Sequence, residues 1–101
     1  MQLVVQFDLD VDIIDVPVFV VENKEVLRRK FLNWIYNPQN KHGFWFSVVD
    51  KNGKRIVGLK YRSDAFVKWL NLRILKAENE KARVIAQNVV EYPTDLPVIY
   101  F

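Results

Sequence analysis

Apolar and polar positions alternate most clearly between Gly43 and Tyr61. There the runs Phe44-Trp45-Phe46-Ser47-Val48-Val49 and Arg55-Ile56-Val57-Gly58-Leu59-Lys60-Tyr61 flank Asp50-Lys51-Asn52-Gly53-Lys54. Aromatic and β-branched runs around Asn-Gly predict a β-hairpin. Two registers compete. A two-residue turn at Asn52-Gly53 sets Val48 opposite Val57, Phe46 opposite Leu59 and Phe44 opposite Tyr61, gathering those six on one face with Trp45 and Lys60 on the other. A bulge at Gly53 slips the pairing by one and sets Gly58 and Lys60 opposite Phe46 and Phe44. Because a one-residue slip exchanges the faces, the cleaner segregation favours the two-residue turn.

The second run feeds into a helix. Ser63 suits the N-cap and Asp64 the first turn, where a negative charge complements the helix dipole. From Asp64 to Ala77 only Asp64, Lys68 and Asn71 make a clean polar stripe, whereas a surface helix ordinarily buries one apolar stripe. Either this helix sits in the middle of the domain, or Leu72 and Leu75 meet another chain.

Gln2–Phe7 reads as a central strand, since it alternates too little for an exposed one. Asp8–Asp15 places Asp8, Asp10 and Asp12 on one side and Leu9, Val11 and Ile13 on the other, three carboxylates that could hold a hard cation such as Mg²⁺ or Ca²⁺ but that read first as a solvated acidic edge. The β-branched run Val16–Val21 favours a short extended or turn segment, although Pro17 also suits the opening of a helix that continues through Glu22. Asn23–Tyr36 is a helix with Leu27, Phe31, Trp34 and Ile35 on one face, stopped at Asn37-Pro38. Ala82, Ile85, Ala86 and Val89 recur at helical spacing and predict a third helix over Glu80–Glu91, capped by Asn79. Val98–Phe101 closes the sheet. The expectation is one α+β domain over residues 1–101, a mostly antiparallel sheet with a central hairpin and about three helices packed on it, in the order β-α-β-β-α-α-β.

Length and composition agree with a single core: 101 residues, 50% hydrophobic, 27% charged. With no cysteine there is no disulfide, thiol nucleophile or Cys-based zinc site. No apolar run approaches the ~20 residues of a membrane span, and the N-terminus lacks a basic-then-apolar leader, so a cytoplasmic setting is expected. The net charge of +3 is unevenly spread. Residues 1–22 hold five acids and no base, residues 23–83 hold all fifteen bases against five acids, and the last eighteen hold two acids. Such asymmetry points to internal complementarity or to a basic surface for an acidic partner.

Candidate chemistry is thin. His42 is the only histidine, so a Ser-His-Asp arrangement would rest on it alone, and its polar loop reads as solvent. Ser47 and Ser63 have structural explanations, and none of the three glycines belongs to a phosphate-binding loop. Val4-Val5-Gln6-Phe7-Asp8-Leu9-Asp10 resembles the first motif of haloacid-dehalogenase-like phosphatases, which would imply a metal-dependent phosphatase using Asp8 and Asp10. The chain is too short for that family's Rossmann-like domain, and Val11 stands where a small or turn residue is usual. No later acidic pair appears, and no cofactor, metal or small-molecule substrate is otherwise implied.

Two binding readings remain. Trp45 beside Lys60, with Lys51, Lys54 and Arg55 at the hairpin tip and Arg28 and Arg29 on the first helix, supplies the ingredients for single-stranded nucleic acid. Three tryptophans, four tyrosines and seven phenylalanines, together with the nearly all-round apolar second helix, favour a protein-interaction module of accessory or inhibitor type. Self-association through Leu72 and Leu75 is one form of it. A protein partner or homodimer is the expectation.

Overall fold

The computed structural model describes residues 1–76 and 79–101, and its fold grows from an N-terminal hairpin. Strands β1 (Gln2–Gln6) and β2 (Val11–Asp15) pair antiparallel with Val4 opposite Ile13, and the Phe7 N–H donates to the Asp10 carbonyl (2.8 Å) across Asp8-Leu9. A parallel strand, β6 (Val98–Tyr100), joins β1, and β5 (Arg83–Ala86) joins β2 antiparallel, giving the order β5-β2-β1-β6. Leu3, Val4 and Val5 are all fully buried, as befits a central strand covered on both faces. The expected α+β domain is observed. Its order differs in detail, because Val11–Asp15 is not a solvated edge but an interior strand held between β1 and β5.

Helices cover the sheet. Pro17 (φ −60°, ψ 151°) precedes α1 (Val18–Glu22), so the stretch expected to be extended takes the helical alternative, with Val20 turned into the core. A second helix, α2 (Lys24–Ile35), buries Leu27, Phe31 and Ile35 at the predicted spacing. Phe31 is the aromatic hub, with its ring 5.3–6.1 Å from those of Trp34, Tyr61, Phe66, Trp69 and Phe101. The third helix, α3 (Ser63–Trp69), buries Ala65, Phe66 and Trp69 and widens into a π-helical turn over Leu70–Ile74, closed by the Leu75 N–H on the Leu70 carbonyl (2.7 Å). In that wide turn Leu70 and Leu75, five residues apart, share the inner side. The apolar helix therefore lies inside this domain; Leu75 is 1% exposed and cannot meet another chain, whereas Leu72 is exposed.

The helix expected over Glu80–Glu91 is absent. Arg83–Ala86 is a strand, because β2 presents an open ladder edge whose backbone hydrogen bonds outweigh a weak helical period. Asn88 (φ 55°) then turns the chain away.

One side chain joins these pieces. Asp12, fully buried, accepts from the Arg62 guanidinium (Nη2 to Oδ1, 2.6 Å), the Ser63 hydroxyl (Oγ to Oδ2, 2.6 Å) and the Asn88 N–H (3.1 Å). Ser63 thus donates to Asp12 instead of capping its helix; Arg62 stands at the cap position, its N–H on Asp64 Oδ1 (3.2 Å). Removing one partner of a buried ion pair ordinarily costs ~3–5 kcal/mol, and unmade buried hydrogen bonds add to it. Asp12→Ala is expected to lower stability by about 3 kcal/mol in urea unfolding, with Asp8→Ala, at an exposed turn position, close to neutral.

Candidate functional site

The hairpin stands apart from this core. Strands β3 (Trp45–Val49) and β4 (Arg55–Leu59) form a separate two-stranded sheet, and among the described residues neither packs extensively against another helix or strand. The molecule is correspondingly long, 49 Å in its largest dimension with a radius of gyration of 15.1 Å, against ~13 Å for a compact domain of this size.

Its register is the bulged one. Trp45 faces Leu59, Phe46 faces Gly58, Ser47 faces Val57 and Val48 faces Ile56. Turn chemistry decides it. Asp50 Oδ1 accepts from the N–H groups of both Asn52 and Lys54 (2.9 Å each), the Gly53 N–H donates to the Asp50 carbonyl (3.0 Å), and Gly53 takes φ 79°, a left-handed position suited to glycine. Segregation of faces selects a register only where one face is buried, and the outer hairpin has no buried face: Val48 and Ile56 are exposed on one side, Val49 (68%) and Val57 (60%) on the other. Gly58 admits the Phe46 ring, whose Cζ would lie 2.7 Å from a Cβ there.

The base is anchored. Phe44, Leu59 and Tyr61 pack against the core, and Lys68 Nζ lies 5.5 Å from the centre of the Phe44 ring. His42 is buried, not solvated. Its Nε2 donates to the carbonyl of Ile35, the last residue of α2 (2.8 Å), and its Nδ1 accepts the Phe44 N–H (3.1 Å); since that N–H can only donate, the proton belongs on Nε2. Asn40 takes the Trp34 carbonyl (2.7 Å), so the loop satisfies carbonyls that a helix end leaves open. The Trp45 indole stacks on His42 (5.4 Å, 14°) and donates to the Asn40 carbonyl (2.9 Å).

These contacts redistribute the sequence-derived candidates. In the observed register Trp45 and Lys60 lie on opposite faces of the hairpin, and the Trp45 ring is used in packing, so the pair does not form one stacking platform. Lys51, Lys54, Arg55 and Lys60 are exposed, Arg55 donating to Ser47 Oγ (2.7 Å). Arg28 donates to the Tyr100 carbonyl and so belongs to the sheet edge; Arg29 is exposed on α2. Trp34 and Trp69 pack internally, as Trp45 does. Asp8 is exposed, and Asp10 pairs with Arg62 (3.7 Å). Among the described residues no three of His, Cys, Asp and Glu are grouped to hold a metal ion, and no helix is long and apolar enough to cross a membrane. Sequence reasoning found the hairpin but missed its isolation; the signal was Asp50 followed by Gly53, which specifies the bulged turn in which no face is wholly apolar.

No protein family, characterised protein or solved structure matches the chain.

Two outcomes test the anchoring. His42→Ala leaves the Ile35 carbonyl and the Phe44 N–H without partners and is expected to cost about 2 kcal/mol in thermal unfolding, with a red-shifted tryptophan emission as Trp45 is released. Burial, with the Tyr36 hydroxyl adding to it, holds the Tyr61 phenol above its ordinary value. The folded chain therefore keeps Tyr61 neutral where the unfolded chain ionises. Its contribution is full below pH ~10 and declines as pH rises above that. Urea midpoints measured on either side of pH ~10 are expected to fall, and Tyr61→Phe to fall less.

Proposed function

We propose that this chain is a non-enzymatic protein-interaction module, of accessory or inhibitor type, that engages a protein partner through the β3–β4 hairpin. One observation carries the reading: Phe46, Val48, Val49, Ile56 and Val57 are all exposed, on both faces of a sheet that touches little but itself. An isolated two-stranded hairpin is marginal in water, and contiguous exposed apolar surface marks interaction sites. The rigid base supports the same reading, since a pre-positioned hairpin loses little freedom on binding. A cytoplasmic setting suits a chain without cysteine.

A second reading, binding of single-stranded nucleic acid, draws on Lys51, Lys54, Arg55 and Lys60 around the same strands. A photo-crosslinking residue placed at position 49 or 57, with position 30 on α2 as control, separates the two readings in cells of origin. The expected result is nuclease-resistant protein adducts from the hairpin positions alone. Nuclease-sensitive adducts, or equal yields from position 30, would contradict the protein-binding reading.

A further inference from the structure

Sheet edges are where extended chains add, and this fold treats its edges unequally. At β6 the outward carbonyls of Val98 and Tyr100 are taken by Lys24 Nζ (2.6 Å) and by Arg28 Nε. Beside β5, the Asn71 amide exchanges two hydrogen bonds with the backbone of Ala82 (2.8 and 2.9 Å). The β4 edge is flanked by Lys54, Arg55 and Lys60. Of the two hairpin strands, β4 carries Arg55, whereas β3, Trp-Phe-Ser-Val-Val, has neither charge nor proline within it.

The direction of its free groups follows from the ladder. The Lys60 N–H bonds the Phe44 carbonyl (3.0 Å), and the Asp50 N–H bonds the Lys54 carbonyl (2.9 Å). Antiparallel pairs alternate between bonded and non-bonded, so Phe46 and Val48 turn their backbone groups inward, and Trp45, Ser47 and Val49 turn theirs out.

Charge selects what can lie there. Lys51 and Lys54 stand at the tip end of β3. At the base, Lys41, Lys68 and Arg73 line a pocket of about 230 Å³ with Trp34 and Leu72, and none of these five cations has a carboxylate within 4 Å among the described residues. Asp50, the one acid in the turn, is committed to the backbone of Asn52 and Lys54. A second copy would bring the same basic hairpin against itself, whereas an acidic chain meets complementary charge at both ends of the strand.

We infer that the hairpin's partner is an acidic, β-branched extended segment, which adds as a strand to the free edge of β3 and sets carboxylates against Lys51 and Lys54 at one end and Lys41, Lys68 and Arg73 at the other. This rests on the hairpin being the binding surface. The strand spans ~17 Å, so about five residues pair between the acidic flanks. Main-chain bonds supply affinity and the flanking charges supply choice of partner.

The test uses the fluorescein-labelled peptide Asp-Glu-Val-Thr-Val-Thr-Val-Glu-Asp, read by anisotropy against the full chain. Ser47→Pro removes an outward N–H of β3, and Val57→Pro removes the equivalent on β4; neither breaks the ladder between them, and near-ultraviolet dichroism checks that both variants fold. The expected result is saturable, salt-sensitive binding, weakened about tenfold or more by Ser47→Pro and by N-methylation of the peptide, and little changed by Val57→Pro. Equal binding of a control peptide with the same Val-Thr-Val-Thr-Val core and lysines in place of the acidic flanks, greater loss with Val57→Pro, displacement by an oligothymidylate at lower concentration, or no saturable binding would each overturn the inference. Protein crosslinks at positions 49 and 57 that persist without peptide binding would sink strand addition alone and leave the hairpin as an interface.

Discussion

A carboxylate withdrawn from water needs donors on every side, and Asp12 meets that requirement with three partners from distant parts of the chain. Arg62 and Ser63 bring the start of α3 onto β2, and the Asn88 N–H brings the end of the β5 segment to the same place. With the Asn71 amide on Ala82, it adds directional bonds to the apolar contact between the sheet and this helical segment, which by itself does not fix register or direction. The acidic N-terminal stretch and the basic middle are thus complementary within the fold, at one buried point. Arg62 is only partly withdrawn from solvent, so the pair couples the interior to the surface beside the hairpin's second strand.

The hairpin depends on this core through its base. The end of α2, the His42 ring and the Trp45 indole form a continuous set of hydrogen bonds and stacked rings, and toward the tip, among the described residues, the strands are supported mainly by each other. A rigid base under an unsupported tip presents apolar side chains and open backbone groups at a fixed orientation. The same physics that makes such an element marginal alone makes it receptive to an added strand.

Much of the architecture was legible in the chain. The α2 face of Leu27, Phe31 and Ile35, the central β1 and the hairpin strands follow from periodicity. Two of the elements that escaped had non-local causes. Val84 and Ala86 became strand residues because β2 offered an edge, and no local period announces a partner seventy residues away. Val11–Asp15 looked like an exposed acidic ribbon because the donors that bury Asp12 lie 50, 51 and 76 residues on. Leu75 looked like interface because a regular helix was assumed where the backbone widens to a π-turn. The candidate site was found by its aromatic and basic residues, yet its register turned on Asp50 and Gly53, where local hydrogen bonding outweighed the segregation of faces.

The β3 edge is expected to be open in the free protein while the core is closed. Residue-resolved amide hydrogen exchange on the unliganded chain tests it most directly. The prediction is strong protection at Val4, Val5 and Ile14, intermediate protection at Phe46 and Val48, and essentially none at Ser47 and Val49. Protection of Ser47 and Val49 comparable to that of Ile14 would mean that the edge is already covered, and would contradict the hairpin as a free docking strand.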